Sequence, residues 1–352
     1  MLDLMDIGRQ TWSQALRFAV EVTPAPEQPI AWTTDSRVLV ETAHHRLREF
    51  GDGGGDTPPL LIVAPEVNGS QLADFAPGQS LVAAMLDAGM GRVCVLEWRS
   101  ATQETKDFDV EQSIDAIEDS LSRLGGGHLL GICQGGWQSA IVAARRPDLV
   151  RTLTLAAAPI DFRAGDGVLT ALVDATPPAA YAALVALGGG VMRGELLRSG
   201  FTNLKFWDRR VVDRWRLWNG LDDAEWMERR HQLGAWYHAR KDLPGRAYLR
   251  IVQELFRENR LIAGTFAVHG EPVDLSRIEA PLLLVGGARD HITRPEQLFA
   301  LAEHAGSPVV RQEVVDQGHI GVVVGHSALR DAWPGFAGWL RDRGGPRSAA
   351  IA

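Results

Sequence analysis

His128-Leu129-Leu130-Gly131-Ile132-Cys133-Gln134-Gly135-Gly136-Trp137 decides how the rest of this chain is read. Leu129 to Ile132 is an apolar run of strand character and Gln134 to Arg145 reads as helix, so Cys133 stands where strand turns sharply into helix. The backbone there must be strained. Gly131 and Gly135 let strand and helix approach while the side chain between them projects over the sheet edge. The pattern is a Gly-x-Ser-x-Gly nucleophile elbow with cysteine in place of serine. A helix N-terminus beneath the thiol favours thiolate and aims backbone N–H groups at a developing oxyanion. Cysteine at this place predicts chemistry on thioesters or other activated acyl groups. The plainer alternative is a buried cysteine in a glycine-rich turn. What separates the two is whether an acid and a histidine follow in order.

They do follow, in the order nucleophile, acid, histidine. Pro281 to Gly287 reads as a buried parallel strand, and the loop Ala288 to Pro295 at its C-terminal end carries Asp290. The next strand, Val309 to Val315, leads into Asp316-Gln317-Gly318-His319-Ile320-Gly321, with His319 flanked by glycines. Each residue has a bland alternative, Asp290 as a helix N-cap and His319 as a surface residue. Asp316 is a second candidate acid. His291 is expected to shape the site, and His128 and Cys94 to be structural. His44, His45, His231, His238, His269 and His304 lack metal-ligand spacing, so no metal is expected.

Composition narrows the function classes. The 352 residues carry a formal net charge of −8 and no basic run interleaved with aromatics, which argues against nucleic acid. Two cysteines give no disulfide framework and predict a reducing cytoplasm. The start of the chain has no signal-peptide pattern, and the most apolar stretch, Ala171 to Met192, is interrupted by Asp174, Pro177-Pro178 and Gly188-Gly189-Gly190, so no membrane span is expected.

Five segments follow from the pattern. Residues 1–55 read as a helical or mixed N-terminal segment, amphipathic over Thr11 to Val22, ending in a Gly-rich linker. Residues 56–160 alternate strands (Leu60 to Ala64, Arg92 to Leu96, Leu129 to Ile132, Thr152 to Ala157) with helices, as a parallel sheet wound on both faces does. The alternation stops over 161–275, a helix-like insertion read as a cap, and resumes over 276–345; 346–352 is expected to be a disordered tail. The cap holds Trp207, Trp215, Trp218, Trp226 and Trp236, read mostly as its own core, with some lining an apolar tunnel to Cys133.

Beyond these readings, the chain resembles the catalytic subunit of polyhydroxyalkanoate (poly-3-hydroxybutyrate) synthases, in particular the short class III-like type that works with a second subunit. The resemblance runs from about Pro58 to about Arg343 and rests on Leu130-Gly131-Ile132-Cys133-Gln134-Gly135-Gly136, Arg289-Asp290-His291-Ile292 and Gly318-His319-Ile320-Gly321-Val322. It implies an α/β-hydrolase fold, a mostly parallel sheet with helices on both faces, bearing a large helical cap. It also implies polymerisation of (R)-3-hydroxyacyl-CoA through an acyl-cysteine, with CoA released. Cys133, Asp290 and His319 match the family's site, and the backbone amides of Val67 and Gln134 its oxyanion hole. Asn68, Trp137, His291 and Ile320, close to these positions in sequence, are candidate substrate contacts. No cofactor is expected, coenzyme A being part of the substrate. Expected partners are the growing polyester, a second helical subunit and a second copy in a homodimer, and the expected place is the cytoplasm, at the polyester granule surface.

The chain departs from the synthase pattern after Asn68, at Glu97-Trp98-Arg99 and at Trp137. Two other activities therefore stay open. One is a cysteine-dependent thioesterase, esterase or lactone hydrolase on the same scaffold. The other is a non-catalytic relative that binds granules or a partner. For the CoA phosphates, Arg193, Arg198, Arg209, Arg210, Arg214 and Arg289 are all candidates.

Overall fold

A computed structural model describes residues 12–18, 21, 30–54, 57–165, 167–197, 213–238 and 241–344. Its centre is an eight-stranded sheet: β1 (Ser36–Glu41), β2 (His45–Phe50), β3 (Leu60–Val63), β4 (Val93–Trp98), β5 (Gly127–Ile132), β6 (Val150–Ala156), β7 (Leu282–Gly287) and β8 (Val310–Val315). The spatial order is β1-β2-β4-β3-β5-β6-β7-β8. β1 and β2 pair antiparallel, as do β2 and β4, and every other pairing is parallel. The central strands are largely apolar because both faces are covered, although Glu97, His128, Thr152 and Thr154 are buried among them. On β3, Leu61 and Val63 enter one apolar layer while Leu60 and Ile62 enter the other, the two-residue period of a pleated strand.

The helices, in chain order, are α1 (Leu81–Asp87), α2 (Val110–Arg123), α3 (Gln134–Arg145), α4 (Val168–Ala175), α5 (Pro178–Leu187), α6 (Asp213–Gly220), α7 (Ala224–His238) and α8 (Gly245–Arg250). After them come α9 (Pro295–Phe299), α10 (Leu301–His304), α11 (Gly321–Val324) and α12 (Trp333–Arg341). α8 runs on as a wider π-helical turn, Ile251–Arg257. α2 begins with a capping box, in which Asp109 accepts from the helix and Gln112 accepts from the Asp109 N–H at 2.6 Å. α3 begins at Cys133 with no side-chain cap.

Two expected boundaries move. Residues 36–50 belong to the sheet rather than to a separate N-terminal segment. Their charged residues disguised them: Arg48 reaches across to Glu97 at 2.9 Å, and Glu49 is buried between Arg37 and Arg92, so ion pairs take the place of an apolar face. At the other end, Leu255, Leu261, Phe266, Val268, Val273 and Leu275 join the same apolar layer as Leu61 and Val63. The last part of the expected cap is therefore core, and the true cap ends near α8. The disordered tail expected at 346–352 lies outside the described residues, as do Thr11 and Val22 at the ends of the expected amphipathic helix.

His128 on β5 is fully buried, with Nδ1 2.8 Å from Thr152 Oγ1. Burial, helped by Arg151, pushes its pKa down from 6.5 to about 4. The unfolded chain therefore binds the extra proton first as pH falls below 6.5, and stability drops between that value and 4. Chemical denaturation of wild type and His128→Asn at pH 7 and pH 5 should show the wild type losing about 2 kcal/mol more than the variant over that interval.

Candidate active site

Cys133 is the hinge of the elbow, with φ 52° and ψ −117°. The strain is tolerated because its neighbours lack side chains. A Cβ on Gly131 would collide with the Gly135 carbonyl oxygen, one on Gly135 with the Val63 carbonyl oxygen, and one on Gly136 with Ala158. Strand β5 and helix α3 thus approach as the sequence predicts. The Cys133 N–H donates to the Ala156 oxygen at 3.0 Å, and the Gly136 N–H donates to the Cys133 oxygen at 2.9 Å, which fixes the turn from both sides.

The acid and the histidine arrive from the ends of β7 and β8. Asp290 is buried, and its Oδ1 accepts from the Ile292 and Thr293 N–H groups at 2.8 and 2.9 Å. Oδ2 lies 2.7 Å from His319 Nδ1. That contact orients the ring, and the Cys133 sulfur lies close enough to His319 to act on its charge. Burial opposes a charged imidazole here, but the Cys133 sulfur and the Asp290 carboxylate outweigh it and push His319 up to about 10. The ring therefore holds its proton at neutral pH. Asp316, the alternative acid, is exposed and paired with Arg289 at 3.1 Å.

Cys133 and His319 open onto a cavity of about 390 Å³ roofed by α4, α5 and α8, with Asp290 behind the histidine. Val67, Asn68, Gln134, Trp137, His291 and Ile320, all singled out from the sequence, line it. A second cavity of about 400 Å³ meets the first at His291, Ile292, His319 and Ile320. Of the five cap tryptophans, Trp236 lines the first cavity, while Trp218 and Trp226 pack in a separate cluster with Leu217 and Phe18. Trp207 and the Trp215 side chain lie outside the described residues. So do Arg198, Arg209, Arg210 and the Arg214 side chain, whereas Arg193 pairs with Asp242 at 2.7 Å.

Several cavity residues escaped the sequence reading: Leu169 and Leu172 on α4, Tyr181 and Leu184 on α5, and Tyr248 and Phe256 around α8. Their apolar spacing is that of any packed helix, and only tertiary structure turns one face toward Cys133. Among the described residues, no group of three or more His, Cys, Asp or Glu side chains is placed to hold a metal ion. No single helix there is long and apolar enough to cross a membrane.

The sheet order and the elbow define an α/β-hydrolase fold with cysteine at the nucleophile position. The chain belongs to a family described as "Protein of unknown function (DUF3141)", which matches residues 120–326. Among individual relatives it is similar to the poly(3-hydroxyalkanoate) polymerase subunit PhaC of Allochromatium vinosum, 28% identical over 332 residues, covering 92% of this chain and 91% of the relative. The subunit of the same name from Haloferax mediterranei is 27% identical over 357 residues, covering 96% and 71%. The synthase resemblance seen in the motifs therefore extends over most of the chain. Among solved structures, a monoacylglycerol lipase of Paleococcus ferrophilus superposes with a TM-score of 0.52 at 16% identity, covering 85% of this chain and 99% of that one. Epoxide hydrolase A of Mycobacterium thermoresistibile gives 0.53 at 18%, covering 88% and 98%. These two are likenesses of fold.

The geometry predicts a selectively reactive thiol. Iodoacetamide should alkylate Cys133 well ahead of buried Cys94, and His319→Ala should slow that alkylation by about tenfold at pH 7, read by peptide mass spectrometry. Equal rates in the two proteins would remove His319 as the partner of the thiol.

Proposed function

We propose that this protein is an acyltransferase that polymerises (R)-3-hydroxyacyl-CoA into polyhydroxyalkanoate through a covalent acyl group on Cys133, releasing CoA. The observation that carries the reading is the placement of Cys133 and His319 on one apolar cavity, with the Asp290 carboxylate 2.7 Å behind the His319 ring. The likeness to PhaC subunits over most of the chain supports it.

The chemistry follows from the positions. Cys133 Sγ attacks the thioester carbonyl carbon, and the carbonyl electron pair moves to oxygen, facing the N–H groups of Val67 and Gln134. Collapse of this adduct breaks the bond to the CoA sulfur, which takes its proton from His319. One thioester has become another, a nearly level exchange that keeps the acyl group reactive. In the second half, His319 takes the proton of the 3-hydroxyl on another acyl unit, and that oxygen attacks the acyl-cysteine. An ester bond forms, the bond to Sγ breaks, and the chain is one unit longer. Asp290 holds the ring orientation and favours its charged form throughout. Water would divert the same intermediate to hydrolysis, so the apolar cavity beneath α4 and α5 serves transfer by keeping water out.

The same reading takes CoA as part of the substrate, with no separate cofactor. It places the protein in the cytoplasm at the surface of its own polyester, as a homodimer assisted by a helical second subunit.

Purified protein incubated with (R)-3-hydroxybutyryl-CoA should release CoA thiol and deposit insoluble polyester. Cys133→Ala should lower CoA release at least about a thousandfold, and Asp290→Asn at least about a hundredfold. CoA release with free hydroxy acid as the sole product would make the protein a hydrolase instead. Turnover preserved in Cys133→Ala would overturn the covalent mechanism.

A further inference from the structure

The loop that carries Val67 is tied to the elbow helix by a buried polar clamp outside the Cys133, His319, Asp290 series. Glu66, the residue before Val67, is buried. Its carboxylate Oε1 accepts from Gln138 Nε2 at 2.6 Å and from Gln134 Nε2 at 3.4 Å. Its own N–H donates to Gln134 Oε1 at 3.2 Å. Gln134 and Gln138 are one helical turn apart on α3, so both side chains meet the carboxylate from the same face. His44 Nε2 lies 4.0 Å from the other carboxylate oxygen. From the far side, Trp236 of α7 donates to the Gly69 oxygen at 2.8 Å, closing the loop between helix and cap.

A carboxylate in an apolar interior is costly unless donors surround it. Here the donors come from the residue whose amide would face the oxyanion and from its neighbour one turn on. The geometry points to Glu66 as a positioning residue: through Gln134 and Gln138 it fixes the Val67 peptide against the start of α3, so that the two oxyanion amides converge. Glu66 is not among the residues lining the cavity and acts through these partners. An oxyanion site works only when its donors are held in place before the charge develops, and a misplaced donor loses most of its value.

The inference rests on the proposed acyl transfer, and the test separates the two. Glu66→Ala should lower kcat with (R)-3-hydroxybutyryl-CoA by roughly tenfold to a hundredfold, with KM changed by less than about threefold. Alkylation of Cys133 by iodoacetamide, which develops no oxyanion, should stay within about twofold of wild type. Glu66→Gln, which keeps an acceptor oxygen for Gln138, should recover most of the lost rate. If Glu66→Ala does not fold, Gln138→Met removes the 2.6 Å bond alone and carries the same expectation. Unchanged kcat, or alkylation falling in step with turnover, overturns the role of Glu66. An active Cys133→Ala protein would overturn the acyl-cysteine reading itself; an inactive one beside a fully active Glu66→Ala protein overturns the clamp only.

Discussion

The left-handed backbone at Cys133 is the constraint on which the site depends. A cysteine at φ 52° is held against a strain of roughly 1–3 kcal/mol, and it persists because everything around it has been brought closer than side chains allow. Gly135 rides on the carbonyl end of β3, Gly136 on the segment after β6, and Gly131 on α3 itself. Two neighbouring strands and one helix therefore set the angle at which the sulfur projects. The sheet order then decides who can meet it. β7 and β8 lie beyond β6, so the loops at their C-terminal ends lean back over the elbow with Asp290 and His319.

Much of this was legible in the sequence for a physical reason. Strands buried on both faces are rich in apolar residues, so the short runs that begin at Leu60, Val93, Leu129 and Leu282 announce themselves. The candidate residues sit where the chain leaves the sheet, Cys133 and Asp290 just past such runs and His319 past the more polar β8. The hairpin of β1 and β2 escaped because its stability is carried by Arg48 with Glu97 and by Glu49 with two arginines. Such pairing is cross-strand and leaves no period in the sequence. The cavity wall escaped too, since nothing in Leu172 or Tyr181 distinguishes a residue facing a cavity from one facing another helix.

The departures from the synthase pattern noted in the sequence fall into place around the same loop. Trp98, after Glu97, donates through its ring nitrogen to the Ala64 oxygen at 2.7 Å, and its backbone N–H donates to Ser70 Oγ at 3.1 Å. Lys241, at the end of the cap, reaches both Ser70 and the Trp98 carbonyl, and burial pushes its pKa down to about 8. Gly69 is held by Trp236. The altered positions are thus one packing unit, in which the cap is stitched to the loop beside the elbow. Trp137 forms the floor between the cavity and the core layer that contains Leu61 and Val63.

The π-helical turn at Ile251–Arg257 joins the enclosure to the core beneath it. One extra residue in the turn sends Leu255 into the main core while Ile251, Val252 and Phe256 face the cavity. That wall is anchored to the same layer as the sheet. α4 and α5 pack directly on this wall: Val173 and Tyr181 cluster with Val252, and Arg257 donates to the Val173 oxygen at 2.8 Å. Roof and wall are therefore one piece. Lifting the roof would strip the Val252 cluster and leave a guanidinium without its carbonyl partner, so the enclosure resists opening on this side.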